Sequence, residues 1–270
     1  MIFKIEKIRF KLVSWVVLNI AEQIRRANSR RQELKLAEAI ALDNVAVVKQ
    51  LLQQGINPNA IVGSKPLIFL VFKKNWFTLP KVTGDRYQTY TLTVKEQCLR
   101  LLLEYGANPN VTNSLGRTVL EIAIIWCMPD IVKLLLLHDA DPNLEDNNQL
   151  TPLMKTAILG IQDARPMFDK LQIIMHLIDS GAELDARDRC GKTALMYATG
   201  NSRQEVAELL ISSGASLTIT DNRGNCAKDI IDNSKSKQQL VLHKSSQFQL
   251  VKERFIPEGD RLLAPLLDKK

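Results

Sequence analysis

Histidine is scarce in this chain: His138, His176 and His243 are the three in 270 residues, and their scatter suggests no metal site. Cysteine is nearly as scarce. Cys98, Cys127, Cys190 and Cys226 show no Cys-x-x-Cys pair or comparable ligand spacing. They read as single thiols, which fits a reducing compartment better than a disulfide-stapled secreted domain. No glycine-rich phosphate loop occurs, because Gly181 and Gly191 fall in recurring turns, and Ser, His and acidic residues are joined by no motif that carries a mechanism. His138, Asp139 and Asp141 lie together, but their place is the close of a leucine run, where Asp-Pro-Asn makes a turn. No catalytic, metal or cofactor-binding residues are assigned, and a protein that is not an enzyme is expected.

Long apolar runs are missing too. In the N-terminal stretch the longest run free of charge is Leu12–Ala21, ten residues, where a membrane-spanning helix needs about 20. A basic start and a short apolar run would suit a signal peptide, but no Ala-x-Ala-like cleavage site follows. The net charge of +7 is unevenly placed. Residues 1–33 hold eight basic and three acidic side chains, and residues 234–270 hold eight and four. The middle, residues 34–233, holds twenty basic against twenty-two acidic. The basicity belongs to the two arms. No nucleic acid is expected as a partner, since backbone recognition needs a basic stripe on the folded surface.

What the chain does have is repetition. Asn108-Pro109-Asn110 recurs as Asp141-Pro142-Asn143, 33 residues on, each after a leucine run, Leu101-Leu102-Leu103 and Leu134-Leu135-Leu136. Eight residues after each final Asn stands a threonine, Thr118 and Thr151, opening a new apolar pattern. A fixed period of this length means one structural unit stacked on itself. Apolar residues make up 46% of the chain, enough for a continuous core. Thr at a helix start caps free N–H groups. Pro in the next position costs little there. Gly55, Gly106, Gly181 and Gly214 are placed to end helices in the left-handed conformation, and Asp139 takes that place once.

The tetrads Thr151-Pro152-Leu153-Met154, Lys65-Pro66-Leu67-Ile68, Thr118-Val119-Leu120-Glu121 and Thr193-Ala194-Leu195-Met196 share one register. Each full copy continues to a paired-leucine helix, such as Val206–Ile211, and closes on a Gly-Ala or Ala-Asp turn. The pattern resembles the ankyrin repeat family and its T-P-L-H-x-A signature, although no copy keeps the histidine. The resemblance covers roughly Leu34 to Ile231. It implies an all-α solenoid of about six helix-turn-helix units with short hairpin fingers, flanked by an arm at 1–33 and a segment at 234–270. It also implies a cytoplasmic, non-catalytic protein-binding scaffold. Two units are stretched. Lys65 to Asn110 takes 45 residues and Thr151 to Asp185 takes 34, where Thr118 to Asn143 takes 25. Insertions are therefore expected in units 2 and 4, on the edge opposite the fingers.

Three surfaces are candidates for partner binding. The insertion edge carries Phe69, Phe72, Trp76, Phe77, Tyr87 and Tyr90, with Met167 and Phe168 from the shorter insertion and the apolar turn Ile125-Trp126-Cys127-Met128-Pro129 between them. The family usually places polar residues and a Gly-His pair at that turn. Either the long insertion folds down and Trp126 covers it, or the aromatics form a patch for a protein partner. The finger tips carry Leu115, Arg117, Asn148, Leu150, Arg187, Arg189, Lys192 and Arg223. The bland reading is solvated turn residues. As a set on adjacent fingers, Arg187, Arg189, Lys192 and Arg223 make a positive patch for an acidic partner. In the N-terminal arm, Lys4, Lys7, Lys11, Ser14, Glu22 and Arg25 share one narrow helical face, and apolar residues including Trp15 cover most of the rest. Leu18 and Arg9 break the separation. Such a helix packs on the first repeat, or docks on a membrane surface or a membrane complex, as in an assembly or anchoring factor. The segment 234–270 is too apolar in its second half for a plain disordered tail, and is expected either to dock on the last repeat as an extra element or to act as a docking segment.

Overall fold

The computed structural model describes residues 22–23, 25–72, 93–159 and 167–233. The chain divides into two compact units, Met1–Ser114 and Leu115–Lys270. The described residues are mostly helical, and the strands among them are a single two-residue pair.

In the first unit, helix α1 spans residues 25–41 and buries Leu36, Ala37, Ala39 and Ile40. A turn through Asp43 (φ 55°) leads to α2, Val45–Gln53. Asn44 caps α2 by accepting the Val47 N–H at 3.2 Å. Val48, Leu51 and Leu52, spaced for one helical face, are its buried residues. Strands β1 (Ile61–Val62) and β2 (Lys65–Pro66) pair with Val62 opposite Lys65. Gly63 and Ser64 both take positive φ, 57° and 66°, the geometry that a two-residue hairpin turn requires. A 3-10 helix, Leu67–Phe72, is buried at every position. Phe69 and Phe72 thus belong to the core. Both this helix and α2 pack on α3, Thr93–Glu104.

The second unit repeats one plan. Helices α4 (Val119–Ile125), α6 (Pro152–Ile158) and α8 (Ala194–Gly200) begin at Thr118, Thr151 and Thr193. Each threonine hydroxyl accepts the N–H three residues on, at 3.1, 3.3 and 3.4 Å. In the last copy Cys226 stands where threonine would, opening α10 (Ala227–Asn233). There the cap is reversed: the Cys226 N–H and Sγ donate to the Asp229 carboxylate at 2.9 and 3.0 Å. The partner helices are α5 (Pro129–Leu137), α7 (Met167–Asp179) and α9 (Gln204–Ser212).

Each short helix packs on its partner. The short helices also pack in a row from α4 through α6 and α8 to α10, and the partners in a second row, α5, α7, α9. Ala123, Ala157 and Ala198, all fully buried, let the short helices approach closely. Leu120, Leu153 and Leu195 fill the space between the two rows with Leu135, Leu177 and Leu210, none more than 1% exposed. Asp139 at φ 62° takes the place that Gly181 (φ 87°) and Gly214 (φ 102°) fill in other copies. The short polar side chain makes that conformation tolerable.

One recurring side-chain bond ties neighbouring copies together. Asp141 Oδ1 accepts the Asn143 N–H at 2.8 Å, folding the Asp-Pro-Asn turn on itself. The Asn143 carboxamide then reaches across: its Nδ2 donates to the Gly181 carbonyl at 3.0 Å, and its Oδ1 accepts the Glu183 N–H at 2.8 Å. Asn59 makes the same clasp in the first unit, to the Gly106 carbonyl at 2.8 Å and the Asn108 N–H at 2.7 Å. Asp185, lacking a donor, makes half of it, accepting the Ser216 N–H at 2.8 Å. Replacing Asn143 by Ala removes both bonds and is expected to cost about 1–3 kcal/mol in urea unfolding. Asn143→Asp, which keeps only the acceptor, is expected to fall between the two. Equal midpoints for all three proteins would show the clasp to be idle.

Candidate interaction surface

The fingers of the second unit are turns that close on their own acidic residue. Asp146 Oδ1 accepts the N–H groups of Asn148 and Leu150 at 2.7 and 3.0 Å. Asp188 does the same for Cys190 and Lys192 at 2.9 and 2.8 Å, and Asp221 for Arg223 and Asn225, both at 2.9 Å. Each Asp stands five residues before a helix-capping residue, Thr151, Thr193 or Cys226. The carboxylates must face the loop interior to reach those N–H groups, so Asp188 and Asp221 are buried. The Asn225 and Arg223 N–H groups hold the Asp221 carboxyl below its ordinary value despite that burial.

Among the predicted tip residues, Leu115 is 66% exposed, Asn148 is exposed and Leu150 is half-buried. Arg187, Arg189 and Arg223 are exposed and Lys192 is half-buried. The four basic residues do not act alike. Arg187 is a brace: its Nε donates to the Gly191 carbonyl at 3.2 Å and its Nη2 to the Thr220 carbonyl at 2.9 Å. Lys192 places its Nζ 5.5 Å from the centre of the Tyr197 ring. Tyr197 in turn donates its hydroxyl to Asp188 Oδ2. Burial, and then the bond to Asp188 and its charge, push the tyrosine hydroxyl well above its usual range. The guanidinium groups of Arg189 and Arg223 make no hydrogen bond or ion pair among the described residues. Asn222 binds the third and fourth fingers together, donating its backbone N–H to the Cys190 carbonyl and its Nδ2 to the Arg189 carbonyl, both at 2.9 Å. Gly191 permits that approach: a Cβ there would meet Asn222 Oδ1 at 2.6 Å.

Arg117 leads to a feature that spacing alone did not reveal. Its Nε lies 3.4 Å from Glu121 Oε1, and Glu121 is buried. Lys155 of the next copy, also buried, lies 2.8 Å from Glu121 Oε2 and 3.1 Å from Asp146 Oδ2. One ammonium thus joins two repeats and closes a finger. The signal was a lone charge inside the buried helix Pro-Leu-Met-Lys-Thr-Ala-Ile. Tyr197 holds the corresponding place in the following copy and bonds the corresponding aspartate.

On the opposite edge, Ile125, Trp126 and Met128 are half-buried in the turn from α4 to α5, and Phe168 on α7 is 41% exposed. Trp76, Phe77, Tyr87 and Tyr90 lie outside the described residues, as do Lys4, Lys7, Lys11 and Trp15. A further missed residue is Arg203, buried at the start of α9, whose guanidinium donates to the carbonyls of Ile158 and Leu159 at the end of α6. It occupies acceptors that the helix itself leaves open. Of the thiols, Cys98 is pushed up to about 11, first by burial and next by Asp43, so it stays protonated at neutral pH. Among the described residues no three His, Cys, Asp or Glu side chains gather as a metal site, and no described helix is long and apolar enough to cross a membrane.

Rows of paired helices with self-closing turns, clasped copy to copy, define a helical repeat protein. The family model for ankyrin repeats (3 copies) matches residues 89–146 and 128–221. Over 112 residues the chain is 34% identical to human cyclin-dependent kinase 4 inhibitor B, covering 42% of this chain and 75% of that protein. It is 33% identical over 132 residues to human ankyrin repeat and SOCS box protein 6, covering 46% of this chain but only 30% of that relative's length. Human neurogenic locus notch homolog protein 1 matches at 27% over 132 residues, 48% of this chain and 5% of its own. The chain belongs to the ankyrin repeat family. Ankyrin repeats generally mediate protein–protein interactions, and ankyrin-repeat proteins are typically non-catalytic.

Two outcomes test the charge network. Lys155→Met removes the cation shared by two carboxylates in a largely buried site, leaving Glu121 to Arg117 and Asp146 to the Asn148 and Leu150 N–H groups, and is expected to cost about 3 kcal/mol in denaturant unfolding. Burial alone pushes the Asp146 carboxyl up, but the Leu150 and Asn148 N–H groups and the Lys155 ammonium outweigh it and hold it below the ordinary value. A lowered folded pKa makes its contribution present above about pH 4 and lost as pH falls through the folded value. The stability gap between the native chain and Asp146→Asn is therefore expected to be full at pH 7 and to close on acidification. A gap independent of pH would contradict the ion pair.

Proposed function

We propose that this protein is a non-catalytic scaffold or adaptor that holds a protein partner on its finger edge. The partner contact includes Leu115, Arg117, Arg189 and Arg223, with Arg187 and Lys192 shaping the surface from beneath. The observation that carries this reading is that the finger turns close on buried aspartates. On the third and fourth fingers the exposed guanidinium groups of Arg189 and Arg223 are thereby left out of the turn's bonding. A protein named as an inhibitor of cyclin-dependent kinase 4 acts on another protein, and its similarity over three quarters of its length supports a binding role for these repeats.

Ile125, Trp126, Met128 and Phe168 are a second contact in this proposal, and the aromatics Trp76, Phe77, Tyr87 and Tyr90 are proposed as partner-binding residues in their own right. Residues 34–233 form the binding array, flanked by the basic arm at 1–33 and the segment at 234–270. The four cysteines are all free thiols, which supports a reducing compartment.

Affinity capture with the full tagged chain, read by quantitative mass spectrometry, tests this. The finger variant L115E/R189E/R223E and the edge variant W76A/W126A serve as comparisons, with circular dichroism to confirm the fold. At least one variant is expected to lose captured proteins fivefold or more while its helix signal stays. If both folded variants return the native set of proteins, the binding reading is wrong.

A further inference from the structure

We infer that the finger edge takes an extended partner segment with an apolar end and an acidic end. This rests on the protein-binding reading above and supplies the chemistry of the partner.

The first argument is which charges the turns hide. Residues 34–233 carry slightly more acid than base, yet the third and fourth fingers display the opposite sign. Asp188 and Asp221 turn inward to accept backbone N–H groups, while Arg189 and Arg223 project outward. Asp146, on the second finger, is answered by Lys155. The second argument is the order of residues along the edge. The first finger shows Leu115 at 66% exposure beside Arg117, whose charge is answered by the Glu121 carboxylate, and the second shows a half-buried Leu150. The basic pair follows on the third and fourth. Glu145, exposed on the second finger, sets the limit of the positive field, because it repels acid placed over that finger.

The surface therefore changes from apolar to cationic along one direction. Helices in contact are spaced about 10 Å apart, so three steps from the first finger to the fourth span roughly 30 Å. An extended chain covers that in about nine residues. A nucleic-acid backbone or an anionic bilayer would meet only two unpaired guanidinium groups and would leave the leucines unused, which favours a peptide.

The probe is a fluorescein-labelled nine-residue peptide of two leucines, three serines and four glutamates, in that order and reversed. Its binding to the full chain is followed by anisotropy at low and moderate salt. One of the two orders is expected to bind more tightly, and salt to weaken it. R189Q/R223Q is expected to weaken binding at least tenfold and to flatten the salt dependence. L115S, or serine in place of the peptide leucines, is expected to weaken it about threefold with the salt dependence kept. Thermal melts within a few degrees of the native chain confirm that the variants fold. The inference is overturned if neither order binds, if R189Q/R223Q binds as the native chain does, or if inorganic polyphosphate or a peptide without leucine binds as well. If the peptide fails but the finger variant still loses proteins in the capture experiment, the partner chemistry is wrong and the scaffold reading stands. If the capture set is also unchanged by both folded variants, the scaffold reading falls as well.

Discussion

A carboxamide reaching from one repeat to the next fixes the register of the stack. The apolar burial of leucine and alanine that packs helix on helix is non-directional. The Asn143 side chain is directional. It must meet one carbonyl and one N–H, in Gly181 and Glu183, and only one placement of the neighbouring copy offers both. Asn59 imposes the same condition in the first unit, on Gly106 and Asn108. Where the residue is Asp185 the clasp is reduced to a single bond, because a carboxylate has no hydrogen to give.

Satisfying the backbone in this way decides what the surface offers. A finger is a tight turn with several N–H groups aimed inward, and an aspartate is the short acceptor that reaches them. Once that aspartate is occupied, the side chains one or two positions on are directed outward and, unlike their backbone groups, carry none of the turn's bonding. Arg189 and Arg223 are such residues. Folding and display therefore divide along the finger, and the display side is free to vary in chemistry without unfolding the turn.

Charge also works inside this molecule. Lys155 joins Glu121 to Asp146, and Arg203 occupies the last carbonyls of α6. Both are buried cations with a partner in a neighbouring copy. Removing one partner of such a contact leaves an uncompensated group away from water, which costs more than the contact itself contributes. These positions hold neighbouring copies to one relative placement, which the apolar core alone would leave loosely defined.

The caps at Thr118, Thr151 and Thr193, the left-handed ends at Gly181 and Asp139, and the helix faces lined by leucine were all legible in the sequence. Each depends on residues within about one helical turn, so local spacing was sufficient to find them. The hydrogen-bonded reach of Asn143, the brace made by Arg187 and the charge bridge at Lys155 were not legible, and neither was the burial of Phe69 and Phe72. Arg187 and Arg189 are two residues apart and read alike, yet one binds the Thr220 carbonyl and the other projects into water. By itself the sequence determined the repeating unit, its capped helices and its turns. Only the tertiary structure decided which polar side chains are occupied within the stack and which are displayed, because their partners stand thirty or more residues away in the chain and meet only when the copies pack.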